Sequence, residues 1–175
     1  MLLCKSLLVN DLQLLIFNYL QSLILRKANN IMKNKNKLKL FLVDDDVVYL
    51  KTLEIYFQHY YNFIVDTFTT GELCLQNLSK NPDLIILDYH LNGIDATAKN
   101  GIEILDGIKA YNQFIPVVML SSQDKIEVAV NCMLHKSCDY IVKSETVFMR
   151  LQKKVNTIFK FKKIQSELNW YMERM

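Results

Sequence analysis

Short apolar runs rich in β-branched residues alternate along this chain with longer amphipathic stretches, and this alternation limits the fold more than any other feature. The short runs have the length and composition of buried strands. They are Leu38–Val43, Phe63–Phe68, Leu84–Leu87, Val117–Leu120 and Tyr140–Val142. Such runs favour a parallel sheet that is covered by helices on both faces.

The stretches between the runs have helical length. They are residues 46–59, 71–80, 101–112, 124–136 and 145–165. Pro82 and Pro116 stand just before strands, where a helix must already have ended, and Gly71 opens the second helix. Five strands that alternate with five helices predict one α/β domain, a doubly wound fold with a five-stranded parallel sheet.

Polar residues follow several predicted strands directly. The first strand leads into Asp44, Asp45 and Asp46, the third into Asp88, the fourth into Ser121 and Ser122, and the fifth into Lys143. Ligands of a doubly wound sheet bind at the carboxyl ends of its strands. We therefore expect acids, a hydroxyl and an amine to converge on one edge of the sheet.

These groups fit a chemistry in which a carboxylate accepts a phosphoryl group. Crowded carboxylates raise one another's pKa unless a cation joins them, and a hard divalent ion such as Mg²⁺ suits oxygen ligands. A carboxylate can attack phosphorus and form an acyl phosphate. The metal, a lysine and a hydroxyl would stabilise the charge on the transferred group.

Four segments in this order resemble the receiver domain of two-component response regulators. LFLVDDD is similar to the family's first strand with its acidic pair, here Asp44 and Asp45, and PDLIILDYHLNG to its third strand with the phosphoacceptor, here Asp88. PVVMLSS supplies the hydroxyl, Ser121, and DYIVKS supplies the lysine, Lys143. The resemblance implies a flavodoxin-like, CheY-like (βα)5 fold and a stand-alone response regulator.

The resemblance covers about residues 37–160 and implies a role for each site residue. Mg²⁺ would be held by Asp45, Asp88 and the backbone carbonyl of His90, with Asp44 helping through water. Lys143 would contact the phosphoryl group. Ser121 would move toward that group and let Tyr140, the aromatic switch residue, turn inward, which remodels the face formed by the fourth helix, fifth strand and fifth helix.

Two features depart from the family pattern. Ser144 follows the lysine where the family often has proline with a cis peptide bond. The loop NGIDATAKNG after Asp88 is longer than usual, with an insertion at about residues 92–100 that could form a lid, change the lifetime of the phosphate or contact a partner. We interpret Asp95 in this loop as a solvated acid and not as a metal ligand.

Two other functions fit parts of the sequence. LFLVDDDVV is also similar to the first motif of haloacid-dehalogenase-type phosphatases, in which Asp44 would be the nucleophile and Asp46 the acid. That family needs a further acidic motif after the lysine, where residues 145–166 offer only Glu145, and it leaves Asp88 without a role. A receiver-like module that binds partners without phosphorylation is disfavoured by the intact site. We expect no enzymatic activity beyond self-phosphorylation and dephosphorylation.

The charge of the chain is unevenly distributed. Residues 40–149 carry seven basic and fifteen acidic side chains, a net charge of −8, whereas residues 1–39 carry +6 and residues 150–175 carry +5. An acidic body argues against direct nucleic-acid binding and is compatible with cation binding.

The ends of the chain are predicted to lie outside the domain. We interpret residues 1–36 as an N-terminal extension and favour Met32 as the natural start; if residues 1–31 belong to the protein, we expect an amphipathic helix that packs on the domain or on a partner. Its apolar part, residues 7–25, is interrupted by polar residues and suits neither a membrane span nor a secretory signal. The domain would occupy residues 37–163, and residues 164–175 would extend its last helix.

An apolar stripe runs along this extension. Its members recur at spacings of three and four residues: Phe161, Ile164, Leu168, Tyr171 and Met175. We expect a cytoplasmic protein whose partners are a sensor histidine kinase or histidine phosphotransfer protein and a downstream protein target. A homodimer would form through the face of the fourth helix, fifth strand and fifth helix, or through the C-terminal helix.

Overall fold

The computed structural model describes residues 38–60, 63–91 and 99–175, and its five strands form one parallel sheet. The strands are β1 (Lys39–Val43), β2 (Ile64–Phe68), β3 (Leu84–Asp88), β4 (Val117–Ser121) and β5 (Asp139–Val142). Their order across the sheet is β2-β1-β3-β4-β5, and all four pairings are parallel. The predicted doubly wound sheet is confirmed, and every predicted strand boundary lies within one residue of the observed one.

Five helices follow the five strands. They are α1 (Val47–Tyr60), α2 (Gly71–Gln76), α3 (Gly101–Tyr111), α4 (Ile126–Leu134) and α5 (Val147–Met172). α2 is shorter than the predicted stretch 71–80, because after Asn77 the chain tightens into a 3₁₀ turn, Leu78–Lys80. Asn81 then leaves this turn in the left-handed conformation, with a φ of 56°. Asparagine tolerates that conformation because its short polar side chain bonds locally.

The core consists of two apolar layers, one on each face of the sheet. Successive strand residues point to opposite faces, so Leu40 and Leu42 belong to one layer and Phe41 and Val43 to the other. The first layer packs against buried residues of α1 and α5, and the second against buried residues of α2, α3 and α4. Burial on both faces explains why the inner strands β3 and β4 are almost entirely apolar, whereas the edge strand β2 is more exposed and contains polar residues.

α5 extends beyond the body of the domain. Val147, Leu151 and Val155 are buried against the sheet, and Lys162 makes the last contact, where its Nζ lies 3.1 Å from Oδ1 of Asp83. Every residue from 163 to 175 is exposed. The helix therefore continues for about three turns without cover from the described part of the chain.

Several predictions fall outside the residues that the structure describes. They concern the N-terminal extension, residues 1–36, and Asp95 in the loop after β3. Among the described helices, none is both long and apolar enough to cross a lipid bilayer.

Candidate functional site

Three aspartates at the end of β1 take up different environments. Asp44 is buried, Asp45 is partly exposed and Asp46 is exposed. Oδ1 of Asp46 accepts hydrogen bonds from the backbone N–H groups of Val48 (2.9 Å) and Tyr49 (3.0 Å), so this carboxylate caps the first turn of α1. Asp44 and Asp45 are left facing the carboxyl edge of the sheet.

Lys143 joins two buried carboxylates that come from different strands. Its Nζ donates a hydrogen bond of 2.7 Å to Oδ2 of Asp44 and lies 2.9 Å from Oδ1 of Asp88. Lys143 is therefore the partner that both buried carboxylates share. Lys143 reaches this position with a trans peptide bond to Ser144, because the described residues contain no cis peptide bond.

Burial dominates the electrostatics of this edge. It raises the pKa of Asp88 to about 6, with the charge of Asp44 adding to the rise and the ammonium of Lys143 opposing it. Burial likewise raises the pKa of Asp44, although its hydrogen bond and ion pair with Lys143 act in the other direction. Burial lowers the pKa of Lys143, but the two aspartates together outweigh this effect and raise it.

The carboxylates are close enough to share one cation. Asp44, Asp45 and Asp88 each offer an oxygen, and these oxygens lie within 4.8 Å of one another. A hard cation such as Mg²⁺ prefers oxygen ligands and tolerates retained water, so this donor set fits it. A carboxylate oxygen has two lone pairs, so Oδ1 of Asp88 can contact such an ion as well as Lys143. His90 lies on the same edge, two residues after Asp88.

Ser121 and Tyr140 are linked through one residue of the loop after β4. Oγ of Ser121, which is fully buried, accepts a hydrogen bond of 3.0 Å from the backbone N–H of Gln123. The hydroxyl of Tyr140 donates a short hydrogen bond to the backbone carbonyl of the same Gln123. Tyr140 is 7% exposed in this arrangement.

One site residue was missed by the sequence reasoning. Tyr49, the third residue of α1, places its ring 4.6 Å from Nζ of Lys143. Its hydroxyl is buried and has no hydrogen-bond partner in the structure. The sequence offered a clue. Helical side chains tilt toward the N-terminus of the helix, so the first residues of a helix that begins directly after Asp46 lie near the end of β1.

A hydrogen bond beside the site joins the residues on either side of the long loop after β3. The N–H of Gly101 donates a hydrogen bond of 3.0 Å to the carbonyl of Tyr89, and Asn100 and Glu103 form a capping box at the start of α3. A Cβ atom at Gly101 would lie 2.4 Å from the backbone oxygen of Asp88. A glycine is therefore required where α3 begins against the end of β3.

The sheet topology and this acidic edge define a class of protein. A parallel five-stranded α/β domain brings three carboxylates and a lysine together at the carboxyl ends of β1, β3 and β5. The family model described as the response regulator receiver domain matches residues 40–156, which is more than half of the chain. This chain belongs to the response regulator receiver domain family, which functions in two-component systems, and its fold is the CheY-like form of the flavodoxin-like fold.

Individual relatives agree with this assignment. A two-component response regulator from Oryza sativa subsp. japonica, ORR27, is 29% identical over 114 residues, which are 63% of this chain and 17% of the relative. A protein-glutamate methylesterase/protein-glutamine glutaminase from Treponema denticola is 37% identical over 83 residues, 46% of this chain and 21% of the relative. The match therefore spans about a fifth of the length of each relative.

A solved structure has a similar fold. CheY in a CheX–CheY–BeF₃–Mg²⁺ complex from Borrelia burgdorferi is similar over 70% of this chain and 89% of its own, with a TM-score of 0.60 and 25% identity. The predicted site residues Asp44, Asp45, Asp88 and Lys143 come together in the structure, and Ser121 and Tyr140 are connected through Gln123. The roles assigned to them remain predictions.

Proposed function

We propose that this protein accepts a phosphoryl group on Asp88 in a Mg²⁺-dependent reaction and thereby switches a surface that binds another protein. The donor would be a sensor histidine kinase or a histidine phosphotransfer protein in the cytoplasm. One observation carries the proposal: the Asp88 carboxylate is buried beside two further carboxylates and a lysine. A carboxylate nucleophile at a cation site is what phosphoryl transfer to a carboxylate requires.

The reaction is a displacement at phosphorus. An oxygen of Asp88 forms the new P–O bond while the P–N bond to the donor's imidazole breaks, and the imidazole nitrogen keeps the electron pair. Lys143, already 2.9 Å from Asp88, would contact the transferred group and offset its charge. Mg²⁺ held by Asp45, Asp88, the carbonyl of His90 and, through water, Asp44 would neutralise the crowded oxygens.

The switch would start at Ser121. If its hydroxyl moves toward the phosphoryl group, it gives up the hydrogen bond from the N–H of Gln123. Gln123 also accepts the hydrogen bond from Tyr140, so both contacts change together. The movement would thereby pass from the site to β5 and to the loop before α4.

α4 carries an exposed apolar row next to this loop. Ile126, Val130 and Leu134 recur every four residues and are 80%, 52% and 75% exposed. Such a row on one side of a helix suits the binding of a second protein. We assign it to the face of α4, β5 and α5 that a downstream target would recognise.

A second apolar area adjoins the site on α1. Val47 and Val48 follow the aspartates of β1 directly and are 62% and 77% exposed. A phosphodonor protein must approach Asp88 from this edge of the sheet, and two exposed valines there supply an apolar contact. They support a protein as the donor.

The C-terminal extension, residues 164–175 beyond a domain at residues 37–163, would pair with a second copy. The apolar side chains of this extension are more than half exposed, and the described residues do not cover them. The three-and-four spacing of its apolar stripe is that of helices that pair with one another.

Sedimentation velocity tests this pairing. It should give a dimer for the wild type and a monomer for Leu168→Glu, whereas Ser166→Glu, on another side of the helix, should remain dimeric. A dimeric Leu168→Glu variant contradicts this pairing.

Intact-mass measurement tests the main proposal. The protein is incubated with acetyl phosphate, with Mg²⁺ or with EDTA, and the same is done for Asp88→Asn and for Asp106→Asn, an exposed acid on α3 paired with His135. We expect a phosphoryl adduct that needs Mg²⁺, forms on wild type and Asp106→Asn, and is absent from Asp88→Asn.

Other outcomes would reject the proposal. An adduct that persists in Asp88→Asn would place the phosphoryl group elsewhere. Failure of the wild type to form an adduct, with beryllofluoride as well as with acetyl phosphate, would favour the phosphorylation-independent binding module.

A further inference from the structure

The buried hydroxyl of Tyr49 has no hydrogen-bond partner among the described residues, and it lies at the proposed site. A buried hydroxyl without a partner costs about 1–3 kcal/mol of desolvation. Buried polar atoms in native proteins usually have a partner, which can be a protein group, an ordered water, an ion or a ligand.

The position of Tyr49 indicates which ligand that is. Its ring lies 4.6 Å from Nζ of Lys143, in contact with the ammonium that bridges Asp44 and Asp88. A desolvated ammonium is attracted to the face of an aromatic ring, so this contact also holds Lys143 in place. Tyr49 is thus next to the group that would receive the phosphoryl oxygens under the proposed function.

The chemistry of the hydroxyl suits a donor. Burial, opposed by the charge of Lys143 and assisted by Asp44 and Asp88, raises the pKa of Tyr49 to about 12. The hydroxyl therefore keeps its proton at neutral pH and can donate it to an oxygen that carries negative charge. A phosphoryl group bound at Asp88 supplies such oxygens, and hydrogen bonds to charged acceptors are the stronger ones.

We propose that Tyr49 is a further phosphoryl-binding residue, whose hydroxyl donates a hydrogen bond to an oxygen of the phosphoryl group on Asp88 while its ring holds Lys143. This inference rests on the proposed function. It adds to Lys143 and Ser121 a third side chain that contacts the transferred group, and it assigns a purpose to a hydroxyl that the protein otherwise buries at a cost.

Tyr49→Phe tests the assignment, because it removes only the hydroxyl. Tyr56→Phe is the matched control, since it removes the same atom from the same helix, where the hydroxyl donates to the carbonyl of Phe148. Mg²⁺ affinity and then beryllofluoride affinity at saturating Mg²⁺ are measured by calorimetry, and the bound fluorines are observed by ¹⁹F NMR. Thermal unfolding in EDTA is recorded for each variant.

We expect Tyr49→Phe to weaken beryllofluoride binding about tenfold, as the loss of one hydrogen bond to a charged acceptor would. One bound ¹⁹F resonance should shift, while Mg²⁺ affinity stays within about twofold, which is under 0.5 kcal/mol. The stability of the metal-free protein should not fall, because the removed atom has no partner there. Tyr56→Phe should bind beryllofluoride like the wild type.

Three results would overturn the assignment. Wild-type beryllofluoride affinity in Tyr49→Phe would show that the hydroxyl does not touch the phosphoryl position. An equal loss of Mg²⁺ affinity would place the hydroxyl on water around the metal instead. Absence of beryllofluoride binding in the wild type would refute the proposed function itself, and this assignment with it, whereas the first two results leave the proposed function standing.

Discussion

Replacement of the buried Asp88 by asparagine should stabilise the metal-free protein. In the folded state the pKa of Asp88 rises from 3.8 to about 6, because the carboxyl group is buried beside Asp44. The folded protein therefore binds this proton more tightly than the unfolded chain does. The stability that the group contributes is complete below pH 3.8 and is lost as the pH rises through about 6.

The magnitude follows from the size of the shift. A pKa shift of about two units corresponds to about 3 kcal/mol, because each unit is worth about 1.4 kcal/mol. Ionised Asp88 therefore lowers the free energy of unfolding by about 3 kcal/mol at pH 7.5. Asparagine has nearly the same shape and no charge, so Asp88→Asn should recover most of this amount. At pH 5 the folded wild type is mostly protonated at Asp88, and the difference should fall to about 1.5 kcal/mol.

Urea unfolding in EDTA at pH 7.5 and pH 5 measures both quantities. The control is Asp106→Asn, whose carboxylate is exposed and paired with His135 at 2.7 Å. Exposed pairs contribute little, so this variant should differ from the wild type by less than about 1 kcal/mol at either pH. The reasoning is refuted if Asp88→Asn is no more stable than the wild type at pH 7.5, or if its advantage does not shrink at pH 5.

Three further predictions concern the same edge of the sheet. Lys143→Met should destabilise the metal-free protein by about 3–5 kcal/mol in urea unfolding, because it leaves two buried carboxylates without their cation; an unchanged midpoint would contradict this. Mg²⁺ at 100 times its dissociation constant should stabilise the wild type by about 2.7 kcal/mol, and thermal scans should show a much smaller gain for Asp45→Asn. Gly101→Ala should cost more than 2 kcal/mol because its Cβ meets the backbone oxygen of Asp88 at 2.4 Å, whereas Gly107→Ala, which meets only a leucine side chain, should unfold like the wild type.

Much of the fold was predictable because it depends on local sequence. The inner strands β3 and β4, buried on both faces, appear as nearly uninterrupted apolar runs, and acids mark the carboxyl ends of β1 and β3. The second helix was overestimated, because the pattern of residues 71–80 does not reveal the tighter 3₁₀ turn after Asn77. Such turns depend on local hydrogen bonds that apolar periodicity does not report.

The composition of the site was less predictable than its location. The row Asp44, Asp45, Asp46 gave no sign of which acid would cap α1, and hydrogen bonds in the structure assign that task to Asp46. The phosphatase alternative needs Asp46 as its acid, whereas in the structure the Asp46 carboxylate caps α1. Tyr49 belongs to no recognisable motif; its place at the start of α1 is a weak clue, and its approach to Lys143 identifies it.

The sequence by itself determined the order of strands and helices, the edge of the sheet where polar groups collect and the family to which the chain belongs, because each depends on residues near one another in the chain. The tertiary structure decided which of these groups touch. Lys143 and Asp44 are 99 residues apart, yet their side chains meet at 2.7 Å. Burial, which sets the pKa of Asp88 and leaves the Tyr49 hydroxyl without a partner, arises only when β1, β3, β5 and α1 pack together.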